Sequence, residues 1–309
     1  MKPILSLRDL SFRLGLPLEH LQAVAEQIAQ DKDLHYSFFS KSIGKSKVRH
    51  FRVPKPALKE IQRRIVRNIL NPMGCAAAAH GGVRGASAAT NAGVHRAQDC
   101  VVNMDVRSFF DKVRHEAVYR MFRHDFEFGR DVASLLTRLT TLESLLPQGA
   151  PTSPSVANLV MTKPVDVPLM KIAEQKGLKY TRYVDDLTFS GDNPRPMINI
   201  AARLLSGRRL PMYRGKPGKK TKLRITPRSA PQEVTGLLVN SEGRLSVASN
   251  RRDKIRGAIH GLKSMHDPMK LAKETRSIAG RISYIGRYNA GEAQRLRRLL
   301  EGIAEPQQS

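Results

Sequence analysis

Three aspartates are the residues of this 309-residue chain whose types and placement point most directly to chemistry. Asp105 closes the apolar run Val101-Val102-Asn103-Met104-Asp105-Val106, and Asp185-Asp186 stands between Tyr183-Val184 and Leu187-Thr188-Phe189. Carboxylates flanked by β-formers are costly near a core unless something offsets their charge. A divalent cation does so: hard Mg²⁺ takes carboxylate oxygens and leaves room for water and substrate phosphates. Two such ions about 3.5–4 Å apart activate an attacking hydroxyl and stabilise a leaving pyrophosphate. The competing reading of Asp185-Asp186 is a plain hairpin turn, against which Asp105 and the charge balance weigh.

That balance is strongly basic. Lys and Arg number 53 against 27 acids, a formal charge of +26, and the isoelectric point is near 10.6. Such an excess implies a polyanionic partner, nucleic acid or an anionic surface. It is uneven: residues 201–309 carry 24 bases and 8 acids, and Arg203 to Arg228 holds 10 bases and no acid. Apolar residues make up 40% of the chain and mean hydropathy is −0.38, which excludes a disordered chain. No run approaches the roughly 18 apolar residues of a spanning helix, so no membrane partner is expected. The N-terminus shows no signal-peptide pattern. Cys75 and Cys100 alone make neither a zinc site nor a disulfide framework, and a reducing cytoplasm is the expected location.

The elements that must position the aspartates follow from periodicity. Leu18, Leu21, Val24, Ala25 and Ile28 predict a helix after Pro17. A basic, aromatic stretch runs from Tyr36 to Pro56, its alternation at Arg49–Val53 predicting a strand ended by Pro54. Helices are expected at Lys59–Leu70, 130–143, Ser155–Lys176 and Met197–Leu205, the third divided by Pro164 and Pro168. Cys75 to Thr90 reads as a loop. Val101–Val106 reads as a buried strand, Tyr180–Ser190 as two short strands around the Asp pair, and Val234–Val239 and Leu245–Val247 as short strands. Arg208–Lys222 reads as a basic loop. From Asn250 onward the pattern is helical, broken at Pro268 and near Gly291. The expected class is α+β, with a mixed body over 1–244 and a small, basic, helical domain over 245–309.

Tyr183-Val184-Asp185-Asp186 matches the Tyr-x-Asp-Asp box of reverse transcriptases. Asp105 with Phe109-Phe110 behind it resembles their first metal motif, and Leu146-Pro147-Gln148-Gly149-Ala150-Pro151-Thr152-Ser153-Pro154 is similar to their template- and nucleotide-positioning loop. Asn91-Ala92-Gly93-Val94-His95 and Val234-Thr235-Gly236 further resemble the Asn-Ala-x-x-His and Val-Thr-Gly elements of bacterial retron reverse transcriptases. Thr181-Arg182-Tyr183 and Asp186-Leu187-Thr188-Phe189-Ser190-Gly191 extend the central box in the retron style. The resemblance covers about residues 36 to 250.

It implies a polymerase right hand: fingers and palm over 1–244, with an antiparallel palm sheet, and a helical thumb over 245–309. The implied activity is RNA-templated DNA synthesis with two Mg²⁺ ions, Mn²⁺ being the alternative, held by Asp105, Val106, Asp185 and Asp186. Arg49, Phe110, Gln148, Gly149 and Lys220 fall to the deoxynucleotide, with Phe110 as the wall excluding a 2′-hydroxyl. Asn91, His95, Val234, Thr235, Gly236, Arg251, Arg252, Lys254 and Arg256 fall to RNA. The implied partners are dNTPs, a cognate structured noncoding RNA and its branched RNA–DNA product, and a separately encoded effector in anti-phage defence, the 309 residues leaving no length for a fused one.

Three departures stand out. His80-Gly81-Gly82 replaces the usual His-Gly-Phe, Leu210–Gly218 replaces a Gly-Phe-x-Asn segment before Lys220-Thr221, and Pro164 and Pro168 interrupt a helix. Two rival readings remain: another bacterial reverse transcriptase, of group II intron or defence type, and a non-catalytic RNA-binding antitoxin or scaffold. Gly215–Thr221 lacks the spacing of a phosphate loop, and His80, His95 and Cys75 lack that of a four-ligand metal site.

Overall fold

A computed structural model describes residues 1–43, 47–212, 223–240 and 244–304. The chain forms two compact units, Met1–Ser87 with Val102–Ile225, and Ala88–Val101 with Thr226–Ser309. The chain therefore passes between units three times, and the compact division does not fall at 244/245. The reason is packing: Ala92 and Val101 share one apolar cluster with Val234, Leu237, Ile255, Ile259 and Ile282.

In the first unit, β1 (Tyr36–Ile43) and β2 (Lys47–Pro54) form an antiparallel hairpin with Tyr36 opposite Pro54 and Phe39 opposite Phe51. The two Phe rings stack 5.0 Å apart, the cross-strand aromatic pairing that steadies an exposed ribbon. The expected strand at Arg49–Val53 is the second half of this hairpin.

A four-stranded sheet has the order β4-β5-β3-β6, from β3 (Cys100–Asp105), β4 (Lys179–Tyr183), β5 (Asp186–Gly191) and β6 (Arg224–Pro227). Beneath it lies one continuous core. Helix Leu18–Gln30 buries Leu21, Val24, Ala25 and Ile28, and helix Arg130–Thr140 buries Val132, Leu135, Leu136 and Leu139. These are the faces their 3.6-residue periodicity requires. A further helix, Leu7–Leu14, starts where Ser6 Oγ accepts from the Asp9 N–H at 3.1 Å.

The expected helix over Ser155–Lys176 is divided as its prolines demand. Helix Ser153–Met161 passes through a wide π turn, Thr162–Asp166, into helix Val167–Gln175. Pro164 sits in the wide turn and Pro168 in the first turn of the next helix, where a missing N–H costs least.

In the second unit, β7 (Glu233–Val234) and β8 (Leu237–Leu238) pair antiparallel with Val234 opposite Leu237. The stretch read as one strand is thus a tight hairpin. Its two turn residues, Thr235 and Gly236, both have positive φ, 47° and 82°, the signature of a type I′ turn. The predicted loop Cys75–Thr90 ends early, because a short helix spans Ala88–Val94. The C-terminal pattern appears as helices Ser249–Gly261, Pro268–Gly286 and Ala290–Ala304.

Candidate active site

The three aspartates gather because β3 and the β4–β5 hairpin end at the same edge. Tyr183 pairs with Asp186, leaving a two-residue turn of Val184 and Asp185. The N–H of Val106, the residue after β3, donates to the Asp185 carbonyl at 2.9 Å. Asn103 of β3 donates to Thr188 of β5 at 3.4 Å and fixes the register lower down. Asp105 is buried, Asp185 half-buried and Asp186 exposed.

Val184 holds φ = +60°. A β-branched residue there is strained, so the surroundings must hold the turn. Arg182, fully buried, supplies one hold. Its Nη1 donates to the Val184 carbonyl at 2.9 Å and to Asn158 Oδ1 at 2.9 Å, while its Nη2 and Nε meet the Asp166 carboxylate at 2.7 and 2.9 Å. Tyr180 adds its hydroxyl to the same carboxylate at 2.8 Å. Burial opposes the charge of Arg182, but Asp166 outweighs it and raises the guanidinium pKa. Burial, then Asp166, pushes the Tyr180 hydroxyl well above its ordinary range, so it stays a donor.

Segment Ala78–Gly82 runs along the outer edge of β4. Arg182 N–H donates to the Ala78 carbonyl at 2.7 Å, and His80 N–H donates to the Arg182 carbonyl at 2.8 Å. Gly81 then lies flat on the turn: a Cβ there would come within 2.5 Å of the Val184 nitrogen and Cγ2. Asn158 Nδ2 donates to its carbonyl at 2.8 Å.

The nucleotide candidates occupy the same unit. Phe110 is half-buried, its ring tilted against Phe109 at 5.8 Å. Gln148 Nε2 donates to Asp111 Oδ1 at 3.1 Å, and its carbonyl accepts from Arg52 N–H at 2.8 Å, docking the loop on β2. Gly149, at φ = +114°, permits that docking, because a Cβ would come within 2.9 Å of Val53 Cγ2. Arg49 is exposed on β2 opposite Lys41. Lys220 lies outside the described residues, as does most of the basic loop.

In the second unit, Thr235 Oγ1 donates to the Ala88 carbonyl at 2.8 Å, tying the Val-Thr-Gly turn to the helix bearing Asn91. Asn91, His95 and Val234 are fully buried. Their side chains are packed inside the unit, whereas Thr235 and Gly236 retain partial exposure. Among the four clustered bases, Arg251 lies over the Tyr284 ring at 5.6 Å and against Gly236. Arg256 Nη2 donates to buried Glu292 at 2.6 Å. Arg252 is half-buried, and Lys254 is exposed.

The donor set of Asp105, Asp185 and Asp186 is carboxylate oxygen on two adjoining strand ends, which fits a hard divalent cation. Among the described residues, no three His, Cys, Asp or Glu side chains already converge closely enough to hold one. Sequence reasoning missed the Asp166–Arg182–Asn158 network. The available signal was Asp166 itself, an acid in an apolar, proline-broken helix.

A strand-end aspartate set against an acidic hairpin turn, backed by a close-packed glycine, is the arrangement that the resemblance to template-directed polymerases leads one to expect. The profile described as reverse transcriptase (RNA-dependent DNA polymerase) matches residues 39–209. Retron Mx65 reverse transcriptase of Myxococcus xanthus is 30% identical over 94% of this chain and 70% of its own length. Retron Mx162 reverse transcriptase of the same organism is 32% identical over 84% of this chain, which spans only 59% of that relative. Retron Ec86 reverse transcriptase of Escherichia coli is 28% identical, covering 91% and 83%. The chain belongs to the reverse transcriptases, and within them to those of retrons. A solved telomerase from Candida albicans, in complex with a TWJ fragment of telomeric RNA, shares the fold at 10% identity. Its TM-score is 0.50, over 94% of this chain and 64% of that one. The fold is the expected polymerase right hand, and the activity is RNA-directed DNA polymerisation. No helix among the described residues is long and apolar enough to cross a membrane.

Proposed function

We propose that this polymerase copies a cognate structured noncoding RNA into branched, RNA-linked multicopy single-stranded DNA, in anti-phage defence with a separately encoded effector. The observation carrying the chemical part is the bond from Val106 N–H to the Asp185 carbonyl, which brings the end of β3 against the acidic turn. Asp105, Asp185 and Asp186, with the Val106 carbonyl, would hold two Mg²⁺ ions, with Mn²⁺ as the alternative. Bound there, such ions lower the pKa of the primer hydroxyl and neutralise charge on the transferring phosphoryl group. The chain itself aligns the reactants. The loop at Gln148 and Gly149, docked on β2, positions the nucleotide, Phe110 walls off a 2′-hydroxyl, and Arg49 and Lys220 meet the triphosphate.

RNA contact falls to the exposed face of the second unit, at the Thr235–Gly236 turn, Arg251, Arg252 and Lys254, while Arg256, first grouped with them, braces the helices through Glu292. Asn91, His95 and Val234 shape that turn from within. An A-form stem offers side chains its backbone and 2′-hydroxyls rather than its deep groove, so recognition by shape and charge suits these residues. In the 1–244 and 245–309 division the clustered bases belong to the thumb and the Thr235–Gly236 turn to the end of the body, both packed in one unit with residues 88–101.

Asp185→Asn and Asp186→Asn test the reading. Each should abolish metal-dependent incorporation while RNA binding, held largely by bases elsewhere, survives. Near-normal extension by both variants would refute the site, and sequencing the RNA that co-purifies with the chain tests the cognate partner.

A further inference from the structure

The turn that carries Asp185 is gripped by two groups that touch neither metal nor substrate in the reading above. The first grip is the fully buried Arg182, whose guanidinium divides its donors. One edge is consumed by Asp166, at 2.7 to 3.2 Å, and the remaining nitrogen bridges Asn158 and the Val184 carbonyl. The second grip is Gly81, held by Asn158 and lying too close to Val184 to admit any side chain. Asn158 thus ties both grips together.

We propose that Arg182 is a positioning residue for DNA synthesis, with Asp166 and Asn158 orienting its guanidinium and Gly81 packed directly against the turn. Arg182 sets where the Val184–Asp185 peptide lies and so where the two turn carboxylates stand relative to Asp105. This role follows from the fork. A planar guanidinium can hold a carboxylate along one edge and still donate in a fixed direction from the other, which a lysine ammonium cannot. It also explains Gly81, because a glycine is required where the backbone meets the strained turn. A buried ion pair alone adds little net stability over an apolar replacement. One whose spare donor grips the catalytic turn has a function beyond stability.

This inference rests on the assignment of Asp185 and Asp186 as catalytic. The test uses the full chain with an RNA template, a DNA primer and a non-hydrolysable deoxynucleotide. Mn²⁺ binding to that complex is followed by electron paramagnetic resonance of the free ion; steady-state extension with ordinary dNTPs and thermal unfolding are measured separately. Arg182→Lys should lower kcat about 100-fold and weaken Mn²⁺ binding about tenfold, as expected for carboxylates displaced by about 1 Å. The KM for primer–template should stay unchanged. Gly81→Ala pushes on the same turn at Val184 without removing the ion pair, should act in the same direction, and decides the matter if Arg182→Lys does not fold. Val132→Ala, a core truncation on helix Arg130–Thr140, should lower thermal stability and leave Mn²⁺ affinity alone. Wild-type kcat and Mn²⁺ affinity in a folded Arg182→Lys or in Gly81→Ala would overturn the proposal, as would equal weakening in Val132→Ala. If Asp185→Asn retained activity, the catalytic assignment would fall first. An inactive Asp185→Asn beside a fully active Arg182→Lys removes the positioning role alone.

Discussion

Arg256→Ala should act on the stability of the second unit rather than on RNA affinity, and its neighbour Lys254→Ala should do the reverse. Arg256 Nη2 lies 2.6 Å from Glu292 Oε1, and the Glu292 side chain is only 5% exposed. Truncating Arg256 leaves that carboxylate with Arg295 at 4.0 Å, whose own side chain is 80% exposed. A hydrogen bond between charged groups contributes about 1.5–3 kcal/mol, and the 47% exposure of Arg256 places this pair at the lower end. A loss of about 1.5 kcal/mol corresponds to a fall in Tm of about 6–12 °C in a unit of roughly 60–100 residues. Lys254 is exposed, so Lys254→Ala should leave Tm within about 1 °C of wild type. If it meets a phosphate, the slope of log K against log salt should shrink by about 0.7–0.9. The measurements are thermal unfolding of each variant and RNA affinity at several salt concentrations. An Arg256→Ala variant with wild-type Tm and a reduced salt slope would refute the reasoning, because Arg256 would then face the RNA and not Glu292.

Three further outcomes are expected. Phe110→Ala should relax discrimination against ribonucleotides by about tenfold, equivalent to about 1.4 kcal/mol; unchanged dNTP/NTP selectivity in competition extension would reassign the ring to the core it already touches. Gly149→Ala combines a φ of +114° with a contact of 2.9 Å to Val53. A strain of about 1–3 kcal/mol should lift the loop from β2 and raise the KM for dNTP, with RNA affinity as the unaffected control; an unchanged KM would show that the loop does not position the nucleotide. His35, His80 and His115 all have pKa values lowered from 6.5, in each case first by burial. The unfolded chain therefore takes up protons before the folded one, and stability should be full above pH 6.5 and fall as the solution is acidified through the lower folded values. Urea unfolding at pH 7.5 and 5.5 checks this, and His115→Gln should flatten the difference.

The parts of the fold legible in the sequence are those specified by local pattern. Leu21, Val24 and Ile28 announce their helix by spacing, Val101–Val106 its strand by continuous apolarity, and Pro164 and Pro168 the division of the helix between them. Other elements were hidden because a distant partner stabilises them. The helix Ala88–Val94 is short and weakly apolar, and it is fixed by Thr235, 147 residues away, whose hydroxyl donates to the Ala88 carbonyl. The hairpin at Thr235-Gly236 reads as one strand because its turn has only two residues. The unit boundary was invisible for the same reason: Ala92 packs beside Val234 and Leu237, a contact no window along the chain contains.

In a chain of net charge +26, the acids are the more informative charges, and their burial separates structure from chemistry. Asp105, Asp166 and Glu292 are the buried acids among the described residues. Asp166 is met by Arg182 from 16 residues away and Glu292 by Arg256 from 36, separations at which nothing in the sequence announces a pair. Asp105 was legible because its neighbours in space carry a sequence pattern of their own, Tyr183-Val184-Asp185-Asp186. The same contrast explains why basic residues were harder to assign. A surface arginine and one committed to a buried carboxylate look alike in composition, and Arg256 differs from Lys254 only through its contact with Glu292. An arginine committed to a buried carboxylate has its charge met within the protein. Arg182 and Arg256 are two such, one holding the acidic turn and the other bridging the helices Ser249–Gly261 and Ala290–Ala304.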